Sequence, residues 1–483
     1  MIFKHIYNRS FLVPAIFSIF LVLLISGCGK QSAPERYLIG AYYYLWFPYN
    51  FNRRGYLRKF LNPPQTPVLG VYNSSDPEVA ERHIACCSRY GIDFLVIDWW
   101  PNRPQQNKVL EEGFLQAENI DDIKWCIFYE TQSLGMDRAT GSIIWTDRRI
   151  ERFASDLLEL SGRYFSHPSY LKIKGRPVIF LYLTRNFSGK TQTAIKKVRS
   201  VLRERGVDPF IVADEVFWTV TVDGGEKSTF SGWTEAPQRS RIKLFDAITT
   251  YNIYETLKHN HQGYASGSRY LLEVEEIYER YRELCGDEVL FIPNIIPGYN
   301  DRALRPGRGH YVIPRQWEEG GGSGSLFSEL FDRLGLAYID PKVPIMMITS
   351  WNEWNEDTAI EPLTPAQPTA RDYSGSGTRF TDGYSYSGFG ETYLRIIRDK
   401  VVAVSGRVLD KNGDPVSGII VEGRSDGDII TSGQTDYYGY YRLSRLMMGE
   451  GVYEIGLANR KIRKRVSVSN TGGTVYADFV VDR

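Results

Sequence analysis

VPIMMITSWNEWNE, Val343 to Glu356, joins an apolar run to a cluster of tryptophans and carboxylates. Its first half shows no apolar–polar alternation. A strand buried on both faces reads this way, as the strands of a parallel sheet do. Seven runs of the same kind precede it: YLIGAYYYLW (Tyr37–Trp46), GIDFLVIDWW (Gly91–Trp100), WCIFYE (Trp125–Glu130), RPVIFLYL (Arg176–Leu183), FIVADEVF (Phe210–Phe217), LFDAITTYN (Leu244–Asn252) and VLFIPNIIPG (Val289–Gly298). Helical patterns separate them. SSDPEVAERHIACCSRYG offers Ser75 and Asp76 as caps, Pro77 for the first turn and Gly91 as a stop. In TDRRIERFASDLLELSGRYF, Ile150, Phe153, Leu157, Leu160 and Tyr164 recur at spacings of three and four. Eight strands alternating with helices predict a (β/α)8 barrel with insertions over residues 37–402. A doubly wound open sheet is the alternative, and the lack of GxGxxG after the first strand counts against it.

The closing helix of that barrel is read in GFGETYLRIIRDKV. Beyond it the pattern changes. Residues 403–483 carry short alternating strands broken by turns such as Lys411–Pro415, which predicts an all-β sandwich of about 80 residues. GGGSGS, residues 320–325, reads as a flexible loop.

At the other end, Lys4 and Arg9 precede an apolar run from Phe11 to Ile25, and Ile25-Ser26-Gly27-Cys28 follows. The run is shorter than the roughly 20 residues of a spanning helix. Residues 1–28 therefore read as a secretory signal. Their last four residues resemble a bacterial lipobox, which implies lipidation at Cys28, a polar tether over 29–36 and a membrane partner reached through the lipid. Gly29 after the cysteine implies the outer membrane, on either face. An ordinary signal peptide with an incidental cysteine is the alternative.

The charges nearly cancel, with 58 Lys and Arg against 57 Asp and Glu. This gives no field for nucleic acid or an anionic surface. The remaining cysteines, Cys86, Cys87, Cys126 and Cys285, form no CxxC, and the six histidines form no HExxH. Neither a metal nor an organic cofactor is implied. Aromatics make up 14% of the chain, a composition suited either to a large core or to flat surfaces on which sugars stack.

Barrel enzymes draw their working groups from the carboxyl ends of strands. Those ends supply Tyr44 and Trp46; Asp98, Trp99 and Trp100; Tyr129 and Glu130; Tyr182; Glu215; Tyr251 and Asn252; Tyr299 and Arg305; and Glu353 with Trp354 and Glu356. Rings and carboxylates dominate, as carbohydrate stacking and acid–base work at a glycosidic bond require. Glu353 and Glu356 are three residues apart. That spacing sets them on opposite faces of a strand but side by side on a helical turn, so the chain is expected to coil there. The same spacing suits two solvated glutamates with their tryptophans turned to the core.

Four segments carry a family resemblance: GVYNSSDPEVAERHI, HPSYLKIKGRPVIFLY, PGYNDRALRPG and ITSWNEWNEDTAIEP. Together they resemble glycoside hydrolase family 99, whose members are endo-α-mannosidases and endo-α-mannanases acting at α-1,2 linkages. The likeness runs from about Tyr37 to Val401. It implies a (β/α)8 barrel and hydrolysis with retention of anomeric configuration. It implies Glu353 as base on the substrate's own 2-hydroxyl and Glu356 as general acid, then base for water. It places Tyr44, Tyr251 and Arg305 around the cleaved sugar. The expected substrate contacts are therefore Tyr44, Trp46, Asp98, Trp99, Trp100, Tyr182, Tyr251, Asn252, Tyr299, Arg305 and Trp354. The chain departs from the family pattern at Leu45, where proline is common, at Asp98, where serine is common, and at Asn355, Asp357 and Ala359, which replace His, Gly and Gln. These changes imply that the sugar differs from the family's usual one. Two other readings stay open: a related barrel of surface polysaccharide assembly, the WbsX-like group, and a glycan-binding lipoprotein without catalysis. The C-terminal segments SGRVLD, NGDPVSGIIV and TDYYGYYRL resemble the carboxypeptidase regulatory-like (transthyretin-like) module.

Overall fold

The computed structural model describes residues 36–53, 55–137, 141–215, 239–251, 253, 267–307, 310, 312–318 and 321–482. The signal segment, Cys28, Asn252 and Gly320 lie outside them.

The apolar runs form the parallel strands that their patterning predicts: β1 (Leu38–Tyr43), β2 (Phe94–Trp99), β3 (Lys124–Tyr129), β4 (Arg176–Leu181), β5 (Phe210–Asp214), β6 (Ala247–Thr249), β7 (Leu290–Phe291 and Asn294–Ile295) and β8 (Ile345–Ile348). Each pairs with the next, and β8 returns to β1 with Leu38 opposite Ile345 and Ala41 opposite Ile348. The sheet is thus a closed (β/α)8 barrel. Pro293 divides β7, because a proline has no N–H for the ladder. Upstream of it Leu290 pairs with Ala247 of β6, and downstream Asn294 pairs with Met347 of β8. The wall is tight at Gly40, where a Cβ would stand 2.3 Å from the Phe94 ring.

Helices follow the strands: α1 (Pro77–Tyr90), α2 (Pro104–Glu112), α3 (Asp147–Tyr164), α4 (Thr191–Arg203), α5 (Gly267–Cys285), α6 (Ser325–Leu330) and α7 (Thr392–Val401). Their ends are chemically marked. Asp76 Oδ1 accepts the Glu78 N–H at 3.0 Å, and Gly91 at φ +97° stops α1. The predicted stripe of α3 is buried from Ile150 to Tyr164.

α7 runs directly into a β-sandwich. One sheet holds Val402–Asp410, Tyr440–Ser444, Val475–Tyr476 and Phe479–Val481; the other holds Ile420–Ser425, Asp428–Gln434, Gly451–Leu457 and Arg463–Val468. Val404, Val408, Val421, Leu443, Ile455 and Phe479 pack between them. The sandwich docks where barrel strands begin. Arg442 pairs with Asp93 at 3.3 Å, just before β2, and the Tyr437 N–H donates to Asp122 at 3.0 Å, just before β3. The opposite, C-terminal mouth stays open.

Candidate active site

At that mouth β8 hands the chain to a turn built largely by its own side chains. The Trp351 N–H donates to the Tyr42 carbonyl at 2.8 Å. The Asn352 amide then stands in for a strand partner. It accepts the Tyr44 N–H at 2.8 Å and donates to the Tyr44 carbonyl at 2.9 Å. The Glu353 N–H is taken by Ser350 Oγ at 2.8 Å, and the Asn355 N–H by Glu353 Oε1 at 2.8 Å. Side chains thus capture N–H groups that an α-helix would commit to carbonyls four residues back. The expected helical coil is accordingly replaced by a tight turn.

The turn still delivers both glutamates to one place. Glu353 and Glu356 line a cleft of about 780 Å³ together with Tyr44, Trp46, Trp100, Tyr182, Tyr251 and Arg305. Tyr44 stacks on Trp46 with ring centroids 4.3 Å apart. Arg305 Nη2 stands 3.5 Å from Glu356 Oε1. Its Nη1 is tied to Asp301, which also contacts His310 Nδ1 at 2.7 Å. Of the two glutamates, Glu353 lies deeper, at 4% exposure. Burial pushes its carboxyl well above the usual range, the Glu356 charge adds to this, and the Asn355 N–H opposes it. Burial, then the charges of Glu356 and Glu353, likewise raise Tyr251, which stays a phenol.

Not every expected contact faces the cleft. Trp99 alternates away from Asp98 along β2 and stacks on Tyr129 at 5.5 Å in the packing behind the sheet. Asp98 is buried, its Oδ2 accepting from Trp100 Nε1 at 2.7 Å and Gln106 Nε2 at 3.0 Å. Tyr299 is buried beside its bridge partner Ile313. Trp354 is fully buried and donates its indole N–H to Glu361 at 3.1 Å. Glu361 in turn accepts from Tyr72 at 2.8 Å and contacts His83 at 3.1 Å, which fixes the turn from behind. Other side chains join the wall without having been singled out: Arg103 and Gln106 after β2, Gln132 after β3, and Asn355 within the turn. Their signal was position, since all four follow strand ends. Among the described residues no group of three His, Cys, Asp or Glu is placed to hold a metal ion.

Asp357 closes the turn at φ +50°, a left-handed backbone where glycine is usual and aspartate tolerated. Arg58 Nε holds its Oδ1 at 2.7 Å and Arg315 Nε its Oδ2 at 3.0 Å, all three side chains being buried.

Comparison with known proteins places this architecture. The family model described as Glycosyl hydrolase family 99 matches residues 61–386. A glycoprotein endo-alpha-1,2-mannosidase-like protein of Danio rerio is 24% identical over 326 residues, which cover 65% of this chain and 63% of that one. The glycoprotein endo-alpha-1,2-mannosidase of Rattus norvegicus is 22% identical over 368 residues, 70% of each chain. This chain therefore spans less than two thirds of the Danio rerio protein. Two solved structures share the fold at 18% identity. One is a glycoside hydrolase-like protein, with a TM-score of 0.52 over 76% of this chain and 94% of that one. The other is the GH99 endo-alpha-mannosidase from Bacteroides thetaiotaomicron, with a TM-score of 0.50 over 74% and 95%. The family match starts ahead of β2 and continues past the turn bearing Glu353 and Glu356, and on that span the chain belongs to glycosyl hydrolase family 99.

Proposed function

We propose that the protein is a retaining endo-glycosidase that cleaves α-linked, mannose-containing glycans. The observation that carries this reading is the opening of both Glu353 and Glu356 onto one aromatic-walled cleft at the C-terminal mouth of the barrel. The glycoprotein endo-alpha-1,2-mannosidases among its relatives support the choice of sugar.

In this reading Glu353 is the base on the substrate 2-hydroxyl and Glu356 the general acid, then the base for water. Burial disfavours charge on Glu353, and Arg305 stands 3.5 Å from Glu356. A 2-hydroxyl donating to Glu353 favours its charged form, and the proton then belongs on Glu356, beside the leaving oxygen. Tyr44 and Trp46 form a stacked platform for a sugar face.

The test is Glu356→Gln. It should abolish hydrolysis of α-mannan while binding persists, and the wild-type product should keep its anomeric configuration. Turnover by the variant at the wild-type rate would overturn the assignment. We further read the chain as a lipoprotein anchored at Cys28, with residues 403–483 as a carboxypeptidase regulatory-like module. Labelling with a fatty-acid analogue should mark wild type and spare Cys28→Ala.

A further inference from the structure

We propose that the outer edge of the β-sandwich is a docking surface for an anionic phospholipid bilayer. The choice of a bilayer rests on the lipid anchor proposed at Cys28.

Five cations stand within six residues at this edge: Arg460, Lys461, Arg463, Lys464 and Arg465, all exposed. The sixth residue, Ile462, is an apolar side chain left 39% exposed. Arg463–Val468 is the end strand of its sheet and pairs with Gly451–Leu457 on one side. Val466 and Val468 fill the sandwich core, which fixes the strand. Little acid opposes the cations. Arg463 pairs with Glu454 at 3.3 Å, both of them exposed. Arg460 donates to the Asp482 carbonyl at 3.2 Å, and the Asp482 carboxylate is met by Lys411 at 2.5 Å. Among the described residues Lys461, Lys464 and Arg465 form no ion pair with a carboxylate. The chain as a whole is balanced, whereas this edge carries one sign. Charge on an unpaired edge also blocks strand addition by another chain. That purpose accepts either sign and calls for no exposed isoleucine. A row of cations around an apolar side chain is what an anionic headgroup layer attracts.

The edge is also placed for it. Two strands separate it from Asp428–Gln434, the end strand that faces the barrel base. There Thr431 and Gln434 line a cavity of about 810 Å³ with Asp93 and Lys124 of the barrel. The chain enters the barrel at this same base. Arg36 stands 3.8 Å from Asp93, the carboxylate that Arg442 of the sandwich holds at 3.3 Å. A lipid attached upstream of Arg36 therefore tethers the end of the barrel that carries the sandwich. The cleft with Glu353 and Glu356 opens at the other end and stays free.

The test uses the unlipidated chain from Gly29 to Arg483, which contains the whole compact unit Pro34–Arg483. It should sediment with vesicles of equal parts phosphatidylglycerol and phosphatidylcholine, and not with phosphatidylcholine alone. Binding should be released at about 1 M salt, where the screening length falls to about 3 Å. Each cation near an anionic surface contributes about 1 kcal/mol, or about fivefold in partitioning. Lys461→Gln should therefore lose about fivefold, and Lys461→Gln, Lys464→Gln and Arg465→Gln together about a hundredfold. Lys196→Gln, Arg203→Gln and Arg205→Gln, which remove the same charge from exposed positions at α4, should bind as wild type. Vesicle-bound chain should hydrolyse soluble α-mannan at the free rate. Equal binding to both kinds of vesicle, an equal loss in the two triple variants, or loss of hydrolysis on binding overturns the proposal. So does retention on dextran sulfate without vesicle binding, which would make the edge a site for soluble polyanions. The anchor is judged apart. Vesicle binding with no fatty-acid label at Cys28 refutes the anchor and not the edge, and a labelled chain whose unlipidated form ignores anionic vesicles refutes the edge.

Discussion

Asp357→Asn should cost the protein about 3–5 kcal/mol, the range for removing one partner from a buried ion pair. The site has three buried members and one negative charge. Arg58 and Arg315 share Asp357, Arg58 also donates to the Ser387 carbonyl at 2.9 Å, and Arg315 to the carbonyls of Asp357 and Ala359 at 2.7 and 2.9 Å. The guanidinium carbons lie 5.0 Å from the rings of Tyr386 and Tyr393 respectively. Rings and carbonyls soften the second cation, but neither replaces a carboxylate. Asparagine tolerates the left-handed backbone, so the loss isolates the charge. Asp357→Gly, the residue common in the family, relieves the backbone by about 1–2 kcal/mol and should still be a net loss. With about 2.1 cal/mol/K per residue over the unit Pro34–Arg483, the unfolding entropy is about 0.95 kcal/mol/K, so Tm should fall by only about 3–5 °C. Urea unfolding followed by tryptophan fluorescence resolves the difference better. The dependence on pH is a second check. Burial opposes the Asp357 charge, yet Arg315 and Arg58 outweigh it and hold the carboxyl below the usual range. A depressed native pKa gives stability that is complete above the unfolded value, near 4, and is lost as pH falls through the native one. The gap between wild type and variant should close in acid. A variant within about 1 kcal/mol of wild type at pH 7, or a gap that persists unchanged at pH 3, refutes the reasoning.

Trp46→Ala removes the ring stacked on Tyr44 and should raise KM about 3- to 10-fold, with kcat changed less, in steady-state assays on α-mannan. Arg305→Met removes the cation beside Glu356, which favours the protonated form, so the pH limb set by Glu356 in kcat should move upward; an unmoved limb would show that the contact at 3.5 Å is inert. Asn352→Leu strands the buried N–H and carbonyl of Tyr44 and should cost about 2–5 kcal/mol in urea unfolding.

The barrel was legible because its strands are buried on both faces, which leaves an unbroken apolar run for each of the eight. The helix ends were legible because Asp76, Pro77 and Gly91 act locally. The split in β7 was visible as Pro293 but not its meaning, since the change of partner depends on strands more than 40 residues away in the chain. The turn after β8 was misread as a helical coil. Spacing of three residues reports a helix only when the backbone N–H groups are free to bond along the chain, and here Ser350 and Glu353 take them. Of the strand-end residues, Tyr44, Trp100, Tyr182 and Tyr251 line the cleft. Strand ends could not tell Trp100 from Trp99, or Glu356 from Trp354, because the facing of each residue past a strand end is set by the turn and not by the strand's alternation.

The departures from the family pattern now separate by mechanism. Asp357 and Ala359 do not line the cleft, whereas Asn355 does. A changed sugar therefore cannot be argued from all three motif positions, and only Asn355 bears on it directly. The two extra carboxylates, Asp357 and Asp98, are compensated in different ways. Asp357 is matched by charge, between two arginines. Asp98 is matched by the N–H donors of Trp100 and Gln106. The first arrangement holds the end of the catalytic turn and should affect folding more than specificity. The second lies behind Trp100 and Gln106 of the cleft wall and should affect substrate binding more than folding. The urea stability of D357N and the KM of D98N on α-mannan are accordingly independent measurements, and an equal effect of both variants on both quantities would refute this division.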